Sequence, residues 1–145
     1  MRQTFLSLLL PLIYIVFIIL LLKNAQIPKL GYPTLKQFAL VNLSIISAIV
    51  FIWANFLVKP TLQLKPKKTP HLVITGPYRF IRHPSYTSLI VFCASVSLLL
   101  KAKPGFWYTL IVITPIYLIR AIWEEKILSE NFGKKYETYR KKTLF

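Results

Sequence analysis

The chain has 145 residues, 55% of them hydrophobic, with 19 Lys and Arg against four acids, for a net charge of +15. All four acids are Glu, and with two His and one Cys the chain lacks the residues for an Asp-based metal cluster, a three-His site or a Cys-rich zinc site. Its four Gly build no G-x-G-x-x-G or P-loop string, which excludes a phosphate cradle of the soluble nucleotide-binding kind.

A mean hydropathy of +0.56 lies far from that of soluble domains and places the chain in a membrane. A bilayer core about 30 Å thick needs roughly 20 apolar residues in a helix. Phe5–Leu22 is the first such stretch, interrupted only by Ser7 and by Pro11, a predicted kink. It is too long for a signal-peptide core and no clean cleavage site follows it, so it reads as a retained anchor. Phe38–Val58 is the second, and its Asn42, Ser44, Ser47 and Asn55 require partners inside a helix bundle. Lys59–Arg82 follows, with Pro60, Pro66, Pro70 and Pro77 marking a turn-rich connection. Tyr86–Leu100 is a short third span, holding Cys93 as a small packing residue, and Phe106–Trp123 is the fourth. Glu124–Lys142 is helical in pattern, with Leu128, Phe132, Tyr136 and Tyr139 forming a stripe for the bundle or the membrane surface.

The fold class is therefore all-α: an integral membrane helical bundle of about four spans, a cytoplasmic proline-rich connection and a C-terminal amphipathic helix, making a single domain over 1–145. Fourteen basic residues fall on the side shared by Arg2, Lys59–Arg82 and Arg120–Lys142, and five on the other. The positive-inside rule then puts both termini in the cytoplasm. Charge that flanks spans meets anionic lipid, so the partners expected are membrane lipids, with no nucleic acid and no metal.

Two constellations stand out. The first is Gly76-Pro77-Tyr78-Arg79-Phe80-Ile81-Arg82-His83-Pro84-Ser85-Tyr86, where a basic loop turns into the third span. Gly-Pro makes a turn, and His83-Pro84 opens a helix whose unpaired N–H groups favour an anionic group. The second is Arg120 with Glu124 and Glu125 at the cytoplasmic end of the fourth span. Arg120 and Glu124 share one helix face, with Tyr117 one turn further in. Both constellations also suit plain interfacial anchoring, with Arg snorkelling to water beside a surface Glu. Half of the acid in the chain nevertheless sits at two adjacent positions, and ionisable residues near a membrane are functional suspects.

The pattern G-P-Y-R-x-x-R-H-P-x-Y, then E-E-x-x-L, then F-G-x-x-Y-x-x-Y resembles the isoprenylcysteine carboxyl methyltransferase family and the related membrane phospholipid methyltransferases. The likeness runs from about Gln63 to Arg140. It implies an integral membrane methyltransferase that holds S-adenosylmethionine at the cytoplasmic end of the bundle. Carried over by position, it places Tyr78, His83, Pro84, Ser85, Tyr86 and Glu124 around the cofactor, and the backbone of Pro70, His71, Leu72 and Val73 beside its adenine and ribose. The His71 side chain itself reads as a polar residue at a solvent edge. Gln63 matches a cofactor-contacting glutamine, Arg120 the arginine that positions the acceptor, and Arg82 and Glu125 are accessory candidates. Relatives often continue past the second Tyr with a basic, Pro-containing tail, and bigger members shape a large prenyl pocket with further amino-terminal spans, so the resemblance speaks more directly to the cofactor than to the acceptor.

The acceptor implied is a lipophilic small molecule or prenylated substrate. A carboxylate acceptor is ionised at pH 7 and needs no base, which suits a chain with few bases. A phospholipid amine would need Glu125 or His83 to take a proton. A non-catalytic membrane subunit that keeps the fold and, more distantly, an NADPH-dependent membrane reductase are the remaining alternatives.

Overall fold

A computed structural model describes residues 2–27, 32–58 and 72–144, with side chains in the first helix from Leu10 onward. Helix α1 spans Arg2–Asn24 and α2 Leu35–Val58; a 3-10 turn covers Gly76–Arg79, and α3 spans Pro84–Leu99. The next helical segment comprises α4 (Lys103–Tyr108), a π-helical turn (Thr109–Ile113) and α5 (Thr114–Phe132), after which α6 covers Lys134–Lys142. Among the described residues there is no β-strand, only an isolated parallel bridge between Ile81 and Leu144.

Leu35–Val58, at 24 residues, and Lys103–Phe132, at 30, are long and apolar enough to cross a membrane; Leu10–Asn24 and Pro84–Leu99 are apolar but shorter. Their surfaces agree with that solvent. Ile15 and Leu22 on α1, Ile49 and Ile52 on α2, and Ile111 and Ile122 further on are all more than half exposed. Apolar residues turned outward along several helices suit lipid rather than water.

The helices divide their residues between two compact units. One comprises Met1–Ile45 and Ile90–Pro115, the other Ile46–Leu89 and Ile116–Phe145. In the first unit α1 packs on α4. The Gln26 N–H donates to the Leu100 carbonyl at 2.8 Å. Small residues allow close approach here: a Cβ on Gly105 would lie 3.0 Å from Ser97 Oγ. Ser44 and Ser95, both buried, share a hydrogen bond of 2.8 Å, worth about 0.6–2 kcal/mol between helices in lipid. The π-helical turn ends two residues before Pro115, which has no N–H to give and whose ring crowds the carbonyl four residues back. The Thr114 hydroxyl returns a hydrogen bond to Thr109 O at 2.9 Å.

The second unit carries both sequence constellations. Gly76 has φ +60, and a Cβ there would lie 2.8 Å from Leu57 Cδ1 and 3.2 Å from Trp53 Cζ2, so the 3-10 turn packs directly against α2. Helix α3 starts at Pro84, two residues before the predicted Tyr86, because proline suits the first turn, where its missing N–H costs nothing. The predicted fourth span, Phe106–Trp123, starts three residues earlier, at Lys103, and extends to Phe132, so Glu124 and Glu125 lie inside a continuing helix. That helix ends at Gly133, whose positive φ of +50 favours glycine and whose N–H donates to Ser129 O at 2.9 Å.

Candidate active site

All the contacts of the site lie within the second unit. Tyr78 comes from the 3-10 turn, His83 from the residue before α3, and Ser85 and Tyr86 from its first turn. Arg120, Glu124 and Glu125 come from consecutive turns of α5. The Pro84 carbonyl accepts from the Ser88 hydroxyl at 2.6 Å and the His83 carbonyl from the Tyr86 N–H at 3.1 Å, which fixes the helix start that aims these side chains.

Two adjacent glutamates organise two different clusters. Glu124 Oε1 accepts a short hydrogen bond from the Tyr86 hydroxyl and lies 3.3 Å from Arg120 Nε. The Arg120 guanidinium also stands 5.7 Å from the centre of the Tyr86 ring. That ring is stacked on His83, with centroids 5.5 Å apart and planes 4° from parallel, and leans on Tyr117 at 4.8 Å. Glu125 Oε1 lies 3.0 Å from Arg82 Nη1, and its Oε2 lies 3.8 Å from Arg140 Nε. His83 bridges the two, with Nδ1 3.8 Å from Glu124 Oε2 and Nε2 3.5 Å from Glu125 Oε1.

Exposure separates the clusters. The Glu124 and Arg120 side chains are 39% and 32% exposed, whereas those of Glu125 and Arg82 are 17% and 14%. The Arg120–Glu124 pair is thus wet and worth only about 0–1 kcal/mol. The Arg82–Glu125 pair is largely desolvated, and removing one partner would leave an uncompensated buried charge.

Burial lowers the pKa of His83, outweighing the opposing pull of Glu124 and Glu125, so the imidazole is neutral at pH 7. Burial raises Tyr78, with the Ser85 hydroxyl at 3.2 Å acting against it and the Glu124 charge with it. Burial likewise pushes Tyr139 up to about 12. Both phenols therefore stay protonated, and the Tyr139 hydroxyl donates to the Tyr78 carbonyl.

The structure thus brings together Tyr78, His83, Ser85, Tyr86, Arg120 and Glu124, with buried Pro84 at the helix start. Arg82 and Glu125 join through the second cluster. Leu72 and Val73 are half-buried in the segment leading to Gly76. Gln63, Pro70 and His71 lie outside the described residues.

Two participants had no role in the sequence reading. Arg140 reaches Glu125, one residue past the F-G-x-x-Y-x-x-Y string, where the basic run Arg140-Lys141-Lys142 hides it. Leu144 pairs by its backbone with Phe80 and Arg82, a contact with no side-chain signal to find.

The profile of the phospholipid methyltransferase family matches residues 38–135. A protein-S-isoprenylcysteine O-methyltransferase from Schizosaccharomyces pombe is 34% identical over 73 residues. That match covers 50% of this chain and 31% of the yeast protein, so the chain aligns with under a third of its relative.

Proposed function

The chain belongs to the phospholipid methyltransferase family, and from that premise we propose that it is an S-adenosylmethionine-dependent membrane methyltransferase acting on a lipid-like or prenylated acceptor. The acceptor group favoured is a carboxylate. The proposal includes four spans with both termini cytoplasmic and one methyltransferase domain over residues 1–145.

The cluster around Glu124 carries this reading. Among the described residues Tyr86 and Arg120 engage Glu124 Oε1, and the side chain is more than a third exposed, so the carboxylate keeps acceptor capacity for an ammonium donor. The aromatic rings of Tyr78, His83 and Tyr86 and the Ser85 hydroxyl offer the mixture of flat apolar faces and polar tips that an adenosyl group and a sulfonium require. The residues present therefore fit the cofactor. When bound, S-adenosylmethionine supplies an electrophilic methyl group.

What remains for the chain is alignment. In-line displacement places most of the demand on holding the reactants in near-attack geometry, an effect worth on the order of 7–11 kcal/mol. Arg120 meets Glu124 through Nε, one nitrogen of its planar fork, and the fork suits a carboxylate of the acceptor. It orients that group without a full bidentate grip, which would quench the nucleophile. His83 acts as a neutral polar contact, and the apolar part of the acceptor reaches the site from the bilayer.

One observation favours a second reading, methylation of a phospholipid amine. His83 is neutral, with a carboxylate near each ring nitrogen; an imidazole so placed can take the proton that an amine must lose. Methyl transfer in detergent to prenylcysteine analogues, compared with phosphatidylethanolamine, tests the choice. The carboxylate reading predicts turnover of the first and not of the second.

A further inference from the structure

Three of the side chains assigned to the cofactor, Tyr78, His83 and Tyr86, sit in or just after one short stretch with little internal order. Gly76–Arg79 is a single 3-10 turn, and the Pro77 carbonyl accepts from Phe80 and Ile81 N–H groups at 3.2 Å each. A segment with so few hydrogen bonds of its own takes its conformation from its neighbours.

Those neighbours include α6 and the two residues after it. The Tyr139 hydroxyl donates to the Tyr78 carbonyl at 2.7 Å. The Leu144 N–H donates to the Phe80 carbonyl at 2.9 Å, and the Leu144 carbonyl accepts from the Arg82 N–H at 3.0 Å. Tyr136, 1% exposed, buries the inner face of α6. Arg140 reaches the same Glu125 that holds Arg82. The Leu144 side chain is 76% exposed, so this residue acts through its backbone rather than by packing.

We propose that α6 and Leu144 form a strap that sets the Tyr78–His83 turn in its cofactor-binding shape, with Tyr139 and the Leu144 backbone as positioning groups. This rests on the S-adenosylmethionine reading above. The strap acts through the turn: it fixes the backbone from which Tyr78 projects and the residue that precedes His83. Slackening it weakens cofactor binding in molecules that are otherwise folded.

The test uses the full chain in detergent, titrated calorimetrically with S-adenosylmethionine. Leu144→Pro removes the amide that donates to Phe80, Leu144→Ala keeps it, and Tyr139→Phe removes one hydroxyl while keeping the ring. The strap predicts that Leu144→Pro and Tyr139→Phe raise Kd about three- to tenfold, the scale of one lost hydrogen bond, at unchanged stoichiometry. Leu144→Ala should match the wild type. A merely structural contribution would instead lower the stoichiometry, as molecules fail to fold, and leave Kd unmoved. Wild-type Kd in Leu144→Pro and Tyr139→Phe overturns the strap and leaves the cofactor site standing, whereas a wild-type chain that binds no S-adenosylmethionine removes both. Should Leu144→Pro not fold, Tyr139→Phe decides alone.

Discussion

Tyr86 and Glu124 are 38 residues apart in sequence, and the hydroxyl of the first donates directly to the carboxylate of the second. That hydrogen bond joins the first turn of α3 to α5 and places the motif histidine, stacked on Tyr86, beside the acidic pair. Removing the hydroxyl while keeping the ring isolates its contribution. Tyr86→Phe should weaken S-adenosylmethionine binding by at most about 1.5–3 kcal/mol, the range for a hydrogen bond to a charged group, because the bond removed positions Glu124 rather than touching the cofactor. Titration with the purified variant checks this, and wild-type affinity would show that the hydroxyl has no part in holding the cofactor.

Arg120→Lys separates acceptor positioning from helix anchoring. Lysine keeps the charge but loses the planar fork, so the variant should bind S-adenosylmethionine nearly normally and lose mainly kcat/KM for the acceptor. An arginine that only anchors the helix end predicts the reverse, since lysine snorkels as well. Near-normal turnover in Arg120→Lys would return the residue to a structural role.

The two neighbouring glutamates should part company on substitution. Glu125→Ala strands Arg82 in a largely desolvated site and should cost about 3–5 kcal/mol of stability. Glu124→Ala loses a pair with Arg120 worth about 0–1 kcal/mol and the hydrogen bond from Tyr86, but it strands no largely desolvated charge, so it should cost less than Glu125→Ala. Thermal unfolding of both variants in the same detergent reads the difference directly. Equal losses would contradict the division between a strut and a ligand-facing carboxylate.

That division shows where the sequence stops being legible. The motif strings, the apolar stretches and the Glu124-Glu125 pair are visible as residue types, and periodicity places Arg120 and Glu124 on one helix face. Which glutamate is buried is not visible, because it depends on Arg82 and Arg140 arriving from two other segments. The π-helical turn before Pro115 and the positive φ of Gly133 shift helix boundaries by backbone geometry that hydropathy does not encode. Leu144 was invisible for a further reason: its contacts are made by main-chain atoms, which every residue has.

His83 gives a pH prediction whose sign is fixed. Its pKa is lowered in the folded chain, so between that lowered value and the ordinary 6.5 the unfolded state binds more protons. Its contribution to stability is therefore intact above about pH 6.5 and declines as pH falls below it. Glu124 and Glu125 on α5 and the adjacent Arg82 face the ring and stay in place in the test variant. The melting temperature in detergent should fall between pH 7 and 5, and His83→Gln should flatten that fall. An unchanged slope in His83→Gln would assign the pH dependence to other groups.

The proposed topology rests on the charge asymmetry and can be tested by labelling single cysteines in a Cys93→Ser background. Cysteines at Arg79 and Lys135 should label from the cytoplasmic side, and those at Lys36 and Lys103 from the opposite side. Labelling of positions 103 and 135 from the same side would contradict four spans with cytoplasmic termini.

The central claim is that the Glu124 cluster holds S-adenosylmethionine, and calorimetric titration of wild type and Glu124→Ala with that cofactor, in one detergent, tests it most directly. The account predicts saturable one-to-one binding by the wild type and a Kd raised about 5- to 150-fold in a folded Glu124→Ala, the cost of about 1–3 kcal/mol. Equal affinity in the two proteins, or no binding by a folded wild type, would contradict it.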